Sequence, residues 1–102
     1  MGELSTEHFL FLSAALFIIG MMGVLIRRNL LIIFMCVELM VTAANISLIA
    51  FGWELDSMSG QSFAVFTIAV AAAEAAVGLA IIIALSRRVR TVDVDEMRTL
   101  RD

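Results

Sequence analysis

Residues 30–52 read LLIIFMCVELMVTAANISLIAFG, a run in which Glu38 is the only acidic or basic side chain. A helix rises about 1.5 Å per residue, so about 20 apolar residues cross a hydrocarbon core roughly 30 Å thick. This stretch is long enough to cross, and reading it as a membrane span decides the fold. Residues 62–86 repeat the arrangement: FAVFTIAVAAAEAAVGLAIIIAL lies between two serines, with Glu74 near its centre. A carboxylate inside a span is a candidate functional group, because it is expensive to keep there.

Outward from residue 30, Arg27, Arg28 and Asn29 form a tight polar turn. Before it, residues 8–26 (HFLFLSAALFIIGMMGVLI) make another span. Its Ser13, Ala14, Ala15, Gly20 and Gly23 are small enough to let a neighbouring helix come close. After Gly52, the stretch WELDSMSGQ is a polar connection carrying Glu54 and Asp56, with Trp53 as an interfacial anchor. The alanines around Glu74, followed by Gly78, predict close helix packing rather than lipid contact. Arg87, Arg88 and Arg90 close the last span. A tail to Asp102 mixes Asp93, Asp95 and Glu96 with Arg98 and Arg101. The expectation is one all-α membrane unit over 1–102, with three transmembrane helices at about 8–26, 30–52 and 62–86 and a polar tail over 87–102.

Composition supports that class. The chain is 62% hydrophobic with no proline, and its mean hydropathy is +1.03, too apolar for a soluble domain of this size. The formal net charge of −3, with no basic patch, argues against nucleic acid as a partner. One cysteine, Cys36, excludes an internal disulfide. Met1–Glu7 is acidic, unlike a cleavable signal, so the first span is expected to stay in the mature protein.

The arginines orient the chain. Three crossings put Arg27 and Arg28 on the same side as Arg87, Arg88 and Arg90, with Glu3, Glu7, Glu54 and Asp56 on the other. The positive-inside rule then places the N-terminus outside and the C-terminus in the cytoplasm. Measured inward, Glu38 lies about 15 Å from Arg28 and Glu74 about 20 Å from Arg87. Both fall near mid-membrane, at depths differing by about one helical turn.

Helical spacing gives each acid polar company. Glu38, Thr42 and Asn45 lie at i, i+4 and i+7 on one face; Thr67, Ala71, Glu74 and Gly78 make the equivalent stripe on the last span. Neutralising an ordinary glutamate at pH 7 costs roughly 3.7 kcal/mol. Holding an acidic charge at the centre of a span costs about 2.5–3.5 kcal/mol on insertion scales. The costs nearly match, so a nearby cation or water tips the group one way and its removal the other. That suits reversible proton handling. The plain alternative is a neutral glutamate stapling two helices. Two acids at similar depth, in a chain with no lysine, favour proton handling. Arg27 and Arg28 read as topology determinants that could also meet a partner's acidic group. His8 reads as interfacial, and Cys36 and the methionines as packing. No nucleophile–base pair, phosphate loop or metal-ligand spacing is present.

The stretches GMMGVLIRRNLLIIFMCVELMVTAANISLIAF, GQSF and VAAAEAAVGLAI, the arginine cluster and the terminal VDEMRTLRD resemble the small K-type (4L-type) membrane-arm subunits of respiratory complex I, the NADH-quinone oxidoreductase. The resemblance covers nearly the whole chain, and its motifs are specific in combination. It implies a three-span bundle with its N-terminus outside, seated among other membrane-arm subunits including antiporter-like ones. It implies a non-redox subunit of a proton-translocating enzyme, in a bacterial, archaeal or organellar energy-transducing membrane. NADH or another donor, FMN, iron–sulfur clusters and quinone would be held elsewhere in the assembly, with no cofactor or metal on this chain. Glu38 and Glu74 match the family's membrane glutamates on a charged, hydrated axis, and Arg27 and Arg28 match its loop arginines. The family often has Asn where this chain has Thr42. A C-type subunit of a multisubunit cation/proton antiporter shares these features and is the nearest alternative. A structural assembly subunit is another, since three helices cannot enclose a pathway. Four-span multidrug exporters and two-span ATP synthase rotor subunits fit the span count poorly.

Overall fold

The computed structural model describes residues 4–89 and 93–95, and within them the chain is three helices and no sheet. They are α1 (Thr6–Ile26), α2 (Leu30–Glu54) and α3 (Met58–Val89). All three are long and apolar enough to cross a membrane. Each contains one of the apolar runs and extends beyond it on at least one side. The 32 residues of α3 reach about 48 Å, well past a hydrocarbon core.

Local chemistry sets the ends. His8 Nδ1 accepts the Ser5 backbone N–H at 3.0 Å, so His8 caps the start of α1. Asn29 is the N-cap of α2: its Oδ1 accepts from the Leu31 N–H at 2.9 Å and the Ile32 N–H at 3.4 Å. That cap lets α2 begin three residues after α1 ends. At the other end of α2, Asp56 adopts a left-handed φ of 51°. Ser57 N–H then bonds Gly52 O at 2.8 Å and Asp56 N–H bonds Trp53 O at 3.2 Å, the paired bonds of a Schellman stop. Aspartate is among the few residues that enter this region cheaply.

Packing is inverted relative to a soluble protein. Only 11% of the apolar windows of α1 and α2, and 6% of that of α3, is buried within the chain. The buried residues are small or polar: Ala43, Ala50, Ala64, Thr6, Ser13 and Asn45, with Ile82 the one large side chain among them. The bulky apolar residues point outward. Lipid tails are as apolar as leucine, so nothing drives large side chains inward, and helices associate where small residues let backbones meet.

α2 is the central element. It packs against both neighbours, while α1 and α3 scarcely meet. In the α1–α2 seam, Gly20 lies against Cys36 O and Met40, where a Cβ would come within 2.7 Å of each. In the α2–α3 seam, Gly60 lies on Gly52, 2.9 Å from Gly52 Cα to the position its Cβ would take. Arg28 and Asn29 also meet the described end of the tail. Val94 N–H bonds Arg28 O at 3.0 Å, Asn29 and Asp93 form an isolated antiparallel bridge, and Arg28 pairs with Asp95 at 3.0 Å. The pair is 73% and 58% exposed and contributes about 0–1 kcal/mol. Arg90, Glu96, Arg98 and Arg101, and Glu3 at the other end, lie outside the described residues.

Candidate functional site

The α2–α3 seam fixes the relative height of the two acids. Phe34 on α2 packs on Gly78 of α3, and Gly52 on Gly60. Four residues along α2 from Phe34 lead to Glu38; four back along α3 from Gly78 lead to Glu74. Antiparallel helices rise equally per residue, so the two carboxylates stand at one level, to within about a turn. Seven residues further the same matching sets Asn45 opposite Thr67. This register agrees with the depth difference of about one turn expected from the flanking arginines.

Their surroundings differ. Glu38 is half-buried and Glu74 exposed on the surface of the isolated chain. Glu74 stands one position off the line Ala71, Ala75 and Gly78, along which α3 turns toward α2. No ion pair forms at either glutamate among the described residues. The alanines near Glu74 divide between the two faces of α3. Ala64, Ala71 and Ala75 are turned inward, but Ala69, Ala72, Ala73, Ala76 and Ala80 are exposed. A helix has two faces, and one neighbouring helix can cover only one of them.

The polar companions are also placed. Thr42 is exposed and its hydroxyl donates to Glu38 O at 3.0 Å; Thr67 is half-buried and donates to Phe63 O at 2.9 Å. Each threonine thus uses its proton on its own helix and keeps oxygen lone pairs for another donor. Asn45 is 5% exposed, and its Oδ1 has no hydrogen-bond partner; the same holds for the buried Gln61 Oε1. Gln61 did not stand out in the sequence, where it sits in a polar connection. The signal that could have found it is its place at the first turn of a helix, beside the glycine pair. Ser13 read only as a small residue, yet its hydroxyl donates to Ala43 O at 2.5 Å and meets Ser47 Oγ at 2.7 Å. Arg27 and Arg28 are exposed at the α1–α2 turn, far along the helices from both glutamates. Among the described residues no group of three or more His, Cys, Asp or Glu could hold a metal ion.

Three outward-greasy helices joined by short turns, two of them with an acid at mid-length, define an integral membrane protein whose two mid-membrane carboxylates have no ion pair among the described residues. The chain belongs to the NADH-ubiquinone/plastoquinone oxidoreductase chain 4L family, whose model matches residues 8–102. It is 67% identical to the NADH-quinone oxidoreductase subunit K of Thermomicrobium roseum over 102 residues, the whole of both chains. It is 52% identical to subunit K 2 of Solibacter usitatus over 99% of each chain. It is 46% identical to subunit K of Akkermansia muciniphila over 93% of this chain and 95% of that one. It is therefore a membrane subunit of complex I, and other complex I subunits are its partners.

Proposed function

We propose that this subunit carries protons within the membrane arm, with Glu38 and Glu74 as the groups that take up and release them. The observation that carries this reading is the common level of two carboxylates that no cation of the described chain neutralises. Hydration and neighbouring charge decide whether a carboxyl group inside a membrane keeps its proton, so a change in either can drive uptake or release. Thr42, Asn45 and Thr67 support water or a partner's polar groups around them. Glu74, exposed on α3, would be covered by an antiporter-like neighbour rather than by acyl chains, because lipid offers it no hydrogen bond.

The arginine-rich end faces the cytoplasm and the Trp53 end faces outward, following the positive-inside rule. The subunit lies in an energy-transducing membrane and takes no electron itself. Electrons pass from NADH to quinone through cofactors held by other subunits. Arg28 is occupied by Asp95, which leaves Arg27 as the loop cation open to a partner's acid.

The test is proton pumping by the intact complex in proteoliposomes. Glu38→Gln should cut pumping at least tenfold while the complex assembles, and Glu74→Gln should cut it less. If both variants assembled and pumped at the wild-type rate, the stapling role would replace the relay.

A further inference from the structure

Asn45 is buried to 95% of its surface in this chain alone, yet its side-chain oxygen accepts nothing. Leaving such an oxygen unpaired costs about 1–3 kcal/mol, and hydrocarbon supplies no donor. Gln61 Oε1 poses the same question in the same seam. It lies 2.7 Å from where a Cβ on Gly52 would stand. Glu38, Asn45 and Gly52 follow one another at seven-residue steps along α2, about 10.5 Å apart. Three polar stations therefore line one seam, from the glutamate level to the Trp53 end of the bundle. Thr67, opposite Asn45, adds an oxygen whose lone pairs are free because its proton goes to Phe63 O.

The missing donor must be small. Asn45 is already enclosed by its own chain, so a side chain from another subunit would have to thread between α2 and α3. Water is the smallest such group, and it supplies both donors and acceptors to buried oxygens that lack partners. Ala64, Ala71 and Gly60 line the α3 side of this half of the seam, and none of them has a side chain longer than a methyl group.

We propose that the half of the α2–α3 seam between Glu38 and Trp53 binds ordered water, with Asn45 and Gln61 as its acceptors. It forms a hydrated leg from the glutamate level toward the outer surface. Asn45 is then a positioning residue: it orients water and exchanges no proton of its own. The proposal rests on the relay reading above for its role in pumping, but not for the presence of the water.

The experiment uses the intact complex. A high-resolution map should show one water within about 3.2 Å of Asn45 Oδ1 and another within that distance of Gln61 Oε1. Asn45→Leu, close in volume, should lower pumping at least fivefold in an enzyme that still assembles and reduces quinone. Asn45→Ser, which keeps a hydroxyl to hold water, should retain more than half. Asn45→Leu pumping at the wild-type rate would overturn the leg. So would a map in which another subunit's side chain donates directly to Asn45. If Asn45→Leu fails to assemble, the wild-type map and the Ser variant decide. If Glu38→Gln and Glu74→Gln both pump normally, the relay reading falls, and the map alone decides whether the water is there.

Discussion

α2 meets α1 along one seam and α3 along another, and the two treat polar groups in opposite ways. On the α1 side, Ser13 donates to Ala43 O and meets Ser47, and Gly20 beds against Cys36 and Met40. On the α3 side, Asn45 and Gln61 keep oxygens without partners, and two glutamates stand level with no ion pair among the described residues. The lesson is that hydrophobicity does not separate a seam whose polar groups are paired from one whose polar groups are not. Both seams are made of small residues in apolar helices. What separates them is whether the polar groups inside are already spent on each other.

That contrast can be broken most severely by moving an acid to the paired side. Ala43 is fully buried at the α1–α2 seam. Ala43→Glu would place a carboxylate in a fully buried seam with no cation beside it among the described residues, at a cost of several kcal/mol. The subunit should disappear from the membrane complex, as read by immunoblot of purified enzyme, whereas Glu38 at mid-seam on the other side is tolerated. Gly20→Ile comes next. Its side chain would collide with the Cys36 backbone oxygen, costing about 1–3 kcal/mol or more. The complex should assemble in reduced yield and lose thermal stability.

Two smaller substitutions sharpen the contrast. Ser13→Ala removes a paired hydroxyl and should cost about 0.6 kcal/mol, up to about 1.7 kcal/mol, with pumping unchanged. Asn45→Leu, by comparison, should leave thermal stability nearly unaltered, since it removes an oxygen that no protein group uses. If Ser13→Ala impaired pumping and left stability intact, the assignment of the seams would be reversed. Asp95→Asn should have the least effect: it breaks an exposed pair worth about 0–1 kcal/mol. Thermal melting of the complex should barely shift.

The helices were legible because apolar run length is a strong signal and charges mark the turns. The two acids stood out for the same reason, each being the single charge in its run. Their common level was only roughly legible. It depends on which residues touch, and the contacts Phe34–Gly78 and Gly52–Gly60 support it independently of the count from the arginines. Burial of polar side chains was not legible at all. Ser13, Asn45 and Gln61 differ in whether a partner lies opposite, and sequence spacing on one helix says nothing of its neighbour's rotation. The return of residues 93–95 to Arg28 was hidden likewise, since it joins segments more than sixty positions apart through backbone bonds that any residues could make.

If Glu38 and Glu74 carry protons, their protonation changes during turnover, and infrared difference spectroscopy of the intact complex during quinone reduction follows it. Bands of a protonated carboxyl group should appear or vanish on turnover. One set should be lost in Glu38→Gln and another in Glu74→Gln. Difference spectra of both variants identical to the wild type in this region would contradict it.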